Sequence, residues 1–88
     1  MPQLDDAFAA AADVAKQLKE RPDNETLLKL YALYKQGSQG DVSGKRPGFT
    51  NFVGRAKYDA WQQFKGVPQE EAKQQYIDLV NALSAAES

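Results

Sequence analysis

From Leu4 to Lys19 the apolar residues recur at intervals of three and four: Leu4, Phe8, Ala11, Ala12, Ala15, Leu18. On a 3.6-residue period these fall on one face, which predicts an amphipathic helix. The alanine run adds intrinsic helix propensity. Pro22 disfavours helical geometry at Arg21 and stops the segment. Asp23 and Asn24 then offer side-chain oxygens to cap a second helix, with Glu25 well placed in its first turn. That helix carries Leu27, Leu28, Leu30, Tyr31, Leu33 and Tyr34, a face broad enough to touch two neighbours. Gly37 and Gly40 are expected to end it.

Gly37 to Asn51 holds four glycines and Pro47 with no sustained period, so it reads as a loop of about fifteen residues, a length that is often functional in compact chains. A third helix is predicted from Phe52 or Val53 to Lys65, with Val53, Ala56, Ala60, Trp61 and Phe64 along one side. Gly66 closes it. Pro68 suits the first turn of a fourth helix, and Glu70 and Glu71 suit its positive end, although Val67 is a poor cap. Ala72, Tyr76, Leu79, Val80 and Leu83 continue that helix, which is expected to fray over Ser84–Ser88. No alternating run marks a strand. The predicted class is all-α, a four-helix bundle. Short links make helices one and two, and three and four, antiparallel neighbours. The middle loop spans about 50 Å when extended, whereas a fourteen-residue helix is about 21 Å long. An up-down-down-up bundle with a long overhand crossover between helices 2 and 3 is therefore allowed.

Composition narrows the chemistry. The 88 residues, expected to form one domain over 1–88, include no Cys and no His. This excludes Ser-His-Asp and Cys nucleophilic catalysis, zinc sites, c-type haem attachment and thioredoxin-like redox work, so no catalytic residue, metal or cofactor is expected. No stretch resembles a membrane span or a signal h-region, which predicts a soluble, cytoplasmic protein without stable membrane insertion. Net charge is −1, but its distribution is uneven. Residues 29–65 carry seven bases (Lys29, Lys35, Lys45, Arg46, Arg55, Lys57, Lys65) against two acids, a surplus of +5, while 1–28 and 66–88 each carry −3. Solvated helix faces are one reading, a local anion site the other. A chain of pI ≈ 5.3 suits a small anionic ligand better than a nucleic acid.

Some residues break the burial pattern. Lys57 lies in register with Val53 and Trp61, so it either snorkels from the stripe or meets an anion at a groove rim. Tyr31 and Lys35 share a helix face, with Tyr34 beside them. These tyrosines are either core rings with surface hydroxyls or a phosphate donor and stacking platform for a base. Lys16 is an exposed helix lysine or a third cation of the same site. Tyr76 and Trp61 lie on apolar stripes, where core is the ordinary role. Gly44-Lys45 lacks the spacing and the preceding strand of a phosphate loop. The acid pairs Asp5-Asp6 and Glu70-Glu71 open helices, where the dipole favours negative charge.

Leu30-Tyr31-Ala32-Leu33-Tyr34-Lys35-Gln36, then Gly40-Asp41, Arg46-Pro47-Gly48, Arg55-Ala56-Lys57-Tyr58-Asp59-Ala60-Trp61, Lys65-Gly66 and Ala72…Tyr76-Ile77 resemble the acyl-CoA-binding protein family. The resemblance spans about residues 5–85. It implies an up-down-down-up bundle that binds long-chain acyl-CoA without turning it over, as an intracellular carrier and pool former. It assigns the 3′-phosphate and adenine to Tyr31, Tyr34, Lys35 and Lys57, with help from Lys16 and Tyr76, and the acyl chain to Phe8, Ala12, Leu27 and Leu28. Val53 stands where many members carry a basic residue. Asn24 replaces a frequent acid, and Val67 a frequent hydroxyl cap. Such a ligand joins phosphate charge, an aromatic base and an apolar tail, and the basic middle third beside the broad helix-two face offers matching chemistry. No nucleic-acid partner is expected, and the chain is expected to be a monomer. The alternative is a helical protein-interaction module without a lipid ligand, using the helix-two face on a partner helix.

Overall fold

The computed structural model describes residues 3–87, in which four helices run α1 (Gln3–Lys16), α2 (Asn24–Gln39), α3 (Phe52–Gln62) and α4 (Gln69–Ala86). There is no strand among the described residues. Residue pairing gives the directions. Asp5 meets Lys73 and Phe8 meets Tyr76, so α1 and α4 are parallel. Gly37 meets Lys73 while Tyr34 meets Tyr76, so α2 opposes α4. Lys57 lies over Tyr31 and Trp61 bonds Gln36, so α3 runs with α2. The order is up-down-down-up.

α4 is the centre: α1 and α2 both pack on it, and α3 packs on α2 alone. The expected adjacency of α1 with α2, and of α3 with α4, is therefore corrected. Those pairs are antiparallel, but their backbones do not pack together. The broad apolar face of α2 explains this, because it receives α4 on one side and α3 on the other. Leu30, Leu33, Ala72, Ile77 and Val80 fill the core with Phe8, Ala11 and Tyr76. α3 contributes no buried residue.

Several predicted ends move for tertiary reasons. α1 stops at Lys16 rather than Lys19 because the Lys19 and Glu20 amides donate to the Glu87 carboxylate at 3.1 and 2.8 Å. That bond also holds the end of α4, which stays helical to Ala86 instead of fraying from Ser84 (Ser88 lies outside the described residues). Gly37 does not end α2. It lies inside the helix, where a Cβ would stand 2.9 Å from Lys73 Cγ and 3.3 Å from Phe8 Cζ, so its role is close helix approach. The true stop is Gly40, at φ +84. After Gln62 the amides of Phe64, Lys65 and Val67 bond three residues back, so the expected last turn of α3 is a tightened continuation rather than α-helix. Pro68, not Val67, takes the cap position of α4, with no side-chain bond.

Candidate ligand site

Two open hollows flank α2. The first, about 510 Å³, lies between α1 and α2 and is lined by Ala12, Ala15, Lys16, Leu27, Leu30, Tyr31, Tyr34, Lys35 and Tyr76. The second, about 410 Å³, lies between α2 and α3 and is lined by Arg21, Asn24, Leu27, Leu28, Tyr31, Phe52, Val53, Ala56 and Lys57. Leu27 and Tyr31 line both, so the two hollows share a wall one helical turn long. No carboxylate lines either one among the described residues.

The Tyr31 ring is where the cations converge. Lys57 Nζ, from α3, is 5.3 Å from its centroid, and Lys35 Nζ, from α2, is 6.0 Å. Lys35 also lies 5.5 Å from the Trp61 ring. These distances suit cation–π attraction, which draws each ammonium to the ring without a neutralising acid. An anion entering here therefore meets positive charge that no carboxylate in the hollows offsets.

Tyr34 and Tyr76 also line the α1/α2 hollow, and their rings pack against Phe8 behind them. Phe8 and Tyr34 stack at 5.2 Å, and Tyr76 meets both rings edge-on. Burial, with a smaller push from Tyr34 nearby, raises the Tyr76 hydroxyl above the ordinary phenol pKa. Tyr76 thus stays protonated, with its hydroxyl available as a donor at neutral pH.

A polar hub fixes α3 relative to these rings. Gln36, 0 % exposed, donates from Nε2 to Asp41 Oδ1 and to the Val67 carbonyl, both at 2.9 Å. Its Oε1 accepts from the Trp61 indole at 3.1 Å, and that indole also donates to the Gly40 carbonyl at 2.9 Å. Asp41 accepts from the Gly66 amide at 2.8 Å. These two bonds, the Gly66 amide first, hold the Asp41 carboxyl below its ordinary pKa. All of Gln36's side-chain hydrogen-bonding atoms are engaged, as burial in a low-dielectric interior requires.

Residues 5–80 match the sequence model of the acyl CoA binding protein family. The chain belongs to that family. It is 44 % identical to acyl-CoA-binding protein homolog 1 of Caenorhabditis elegans, over 90 % of this chain and 92 % of that one. Enoyl-CoA delta isomerase 2 of Rattus norvegicus is 46 % identical over 90 % of this chain, but the match spans only 20 % of the isomerase's length. The crystal structure of acyl-CoA-binding protein 2 from Oryza sativa superposes with a TM-score of 0.91 at 40 % identity, covering 98 % of this chain and 95 % of that one.

Within this family frame, the expected site residues can be located one by one. Lys16, Tyr31, Tyr34, Lys35 and Tyr76 line the α1/α2 hollow, and Lys57 faces Tyr31 from the other side. The residues expected to hold the acyl chain divide. Leu28 lines the α2/α3 hollow, Leu27 lines both, and Ala12 lines the α1/α2 hollow. Phe8 is 8 % exposed and packs into the core behind Tyr34, outside the lining of either hollow. Three features are not legible in the sequence pattern. Arg21 lines the α2/α3 hollow from the short link between α1 and α2. Phe52 and Val53 are 78 % and 66 % exposed at its mouth, not under a buried stripe. Trp61 is half-buried and acts through its indole N–H rather than as core. Only the broad α2 face hints that part of the α3 stripe stays uncovered.

Proposed function

We propose that the chain, as one domain over 1–88, binds long-chain acyl-CoA thioesters without chemistry and serves as a carrier and pool former. The observation that carries this reading is the adjacency of a cation-rimmed aromatic hollow and a mainly apolar one, which share Leu27 and Tyr31 in their linings. Phosphates of roughly −1.5 to −2 charge suit the α1/α2 side, where Lys16, Lys35, Tyr34 and Tyr76 surround the hollow. Lys57 reaches the same charge from α3, and the Tyr31 ring offers adenine a face. The acyl chain then follows Leu27 and Leu28 toward Phe52, Val53 and Ala56. Each methylene removed from water contributes about 0.8 kcal/mol, so the tail sets affinity and the head group sets orientation. The hollow between α2 and α3 is open, and part of a long tail stays near the α3 rim.

The sequence holds no His and no Cys, and no carboxylate among the described residues lines either hollow, which supports binding without turnover. No helix among the described residues is long and apolar enough to cross a membrane, which fits a cytoplasmic carrier.

Calorimetry with palmitoyl-CoA, free CoA and palmitate tests the reading. The thioester binds tightly, CoA much more weakly, and palmitate negligibly. Palmitate binding as well as its CoA ester would overturn it. A chain-length series then reads the tail's share directly.

A further inference from the structure

Trp61 is the single tryptophan of the chain, and the edge and the face of its ring have different neighbours. At the edge, the indole N–H donates to Gln36 Oε1 at 3.1 Å and to the Gly40 carbonyl at 2.9 Å. Both acceptors stand at the end of α2, and Gln36 is itself held by Asp41 and the Val67 carbonyl. The ring is thus fixed at Cβ by α3 and at Nε1 by α2, so its plane is set. Over the face stands Lys35, with Nζ 5.5 Å from the ring centroid. The same Nζ is 6.0 Å from the Tyr31 ring, so the indole is the nearer of its two aromatic neighbours.

Two ordinary roles leave this contact unexplained. Core packing does not call for it, because Trp61 is only half-buried and sits on a helix with no buried residue. Completing the Gln36 hub uses the N–H at the ring's edge and makes no use of the face. Lys35, for its part, is half-buried, lines the α1/α2 hollow and forms no ion pair among the described residues. A lysine stem has many rotamers, and an ammonium that grips a phosphate loses that freedom on binding. An aromatic face that draws the ammonium beforehand lowers this cost, and tryptophan is the strongest such face.

We infer that Trp61 is a positioning residue: its indole, clamped at the edge by the Gln36 hub, holds the Lys35 ammonium poised for the 3′-phosphate of the ligand. The inference rests on the acyl-CoA reading above. It gives a share in recognising the nucleotide end to a residue outside the lining of both hollows. The buried hub then serves the site as well as the fold, because the bonds that set the indole also set the cation in front of it.

Fluorinated tryptophan at position 61 tests this. Mono-, di- and trifluorinated rings lose π charge stepwise, keep nearly the same shape and leave the N–H at least as good a donor. Calorimetry compares palmitoyl-CoA with palmitoyl-3′-dephospho-CoA. The native protein prefers the phosphorylated ligand. Fluorination lowers palmitoyl-CoA affinity in steps, about two- to fivefold in all. Affinity for the dephospho ligand and the melting midpoint stay native. In a Lys35→Met background the same fluorination changes nothing, since the ring has no ammonium to hold. Palmitoyl-CoA affinity that fluorination leaves unchanged or raises, beside an intact native preference, would overturn the inference alone. A loss equal for both ligands, a loss that persists in Lys35→Met, or a loss that comes with an earlier melt would overturn it too and make Trp61 purely structural. A native protein indifferent to the 3′-phosphate would overturn the assignment of Lys35 itself, and the inference with it.

Discussion

The two sides of α2 are built differently. Toward α4 it buries Leu30, Leu33 and Gly37 in a continuous apolar core shared with α1. Toward α3 it presents Leu27, Leu28 and Tyr31 to a helix with no buried residue, held by the Trp61–Gln36 hub, with Lys57 lying over Tyr31. Area removed from water stabilises the first side, and satisfied hydrogen bonds fix the position of the second. The candidate site lies along the boundary. Lys16, Lys35, Tyr34 and Tyr76 are anchored on the dense side, and the apolar hollow opens on the loose side, where Lys57 meets Tyr31. A groove for a long tail needs a wall that stays uncovered in the free protein, and α3 leaves one.

The largest effect that tests this contrast comes from the core. Leu33 is 0 % exposed, and Leu33→Ala should cost about 2–5 kcal/mol in urea unfolding. Val53→Ala, on the α3 side, should stay within about 0.5 kcal/mol of native. Comparable losses for both would show that the two sides are equally packed and break the contrast.

Next comes the hub. Trp61→Phe keeps an aromatic ring, smaller than the indole, but removes the indole N–H, leaving the buried Gln36 Oε1 without its donor. A stranded buried acceptor costs about 1–3 kcal/mol. The sharper readout is local: amide exchange over residues 52–66 should quicken more than over α4. Uniform acceleration would mean that α3 has no separate stability.

How much of this is legible in the sequence follows the same division. Helix spacing places all four helices, because local periodicity and caps such as Asp23 and Asn51 act within a few residues. The i, i+4 interval alone pairs Tyr31 with Lys35, and Lys57 stands out as a lysine on an apolar stripe. Gly37 is illegible, since a glycine that breaks a helix and one that admits Lys73 and Phe8 look alike in one dimension. The early stop of α1 depends on Glu87, more than sixty residues away. Phe8 and Val53 are both apolar residues on helical stripes. Only the packing of α4, and its absence over the first turn of α3, sends one to the core and the other to a rim. Gln36 lies inside the family motif, but nothing in the sequence assigns its buried side chain three hydrogen-bond partners.

The third test separates binding from folding. Lys57→Ala removes a cation that faces Tyr31 across the boundary and should weaken palmitoyl-CoA binding about tenfold, the loss of one charged contact. The helical circular-dichroism signal and the thermal midpoint should stay native, because this ammonium packs no core. A variant that binds normally would remove Lys57 from the site. A variant that binds weakly but also melts early would move Lys57 to the structural side of the comparison.

The smallest effect is on pH dependence, and it tests the links rather than the core. Asp41 is held below its ordinary pKa by the Gly66 amide and then Gln36, Asp59 by Arg46, and Glu87 by the Glu20 and Lys19 amides. Each folded-state pKa lies below its unfolded value, so on acidification the unfolded chain takes up these protons first. Their stabilisation is complete above the ordinary carboxylate range near pH 4 and fades as pH falls through the folded values. All three groups are exposed to solvent, so each contribution is small and weakened by salt. Asp41→Asn keeps a side-chain oxygen for the Gly66 amide but removes one titrating group. Its thermal midpoint should fall less steeply than the native one below about pH 4, with amide exchange over residues 52–66 showing the difference most clearly. An unchanged acid slope would mean that Asp41 does not tie the α3 side to α2 through its charge, and the polar hub would then rest on Gln36 and Trp61 alone.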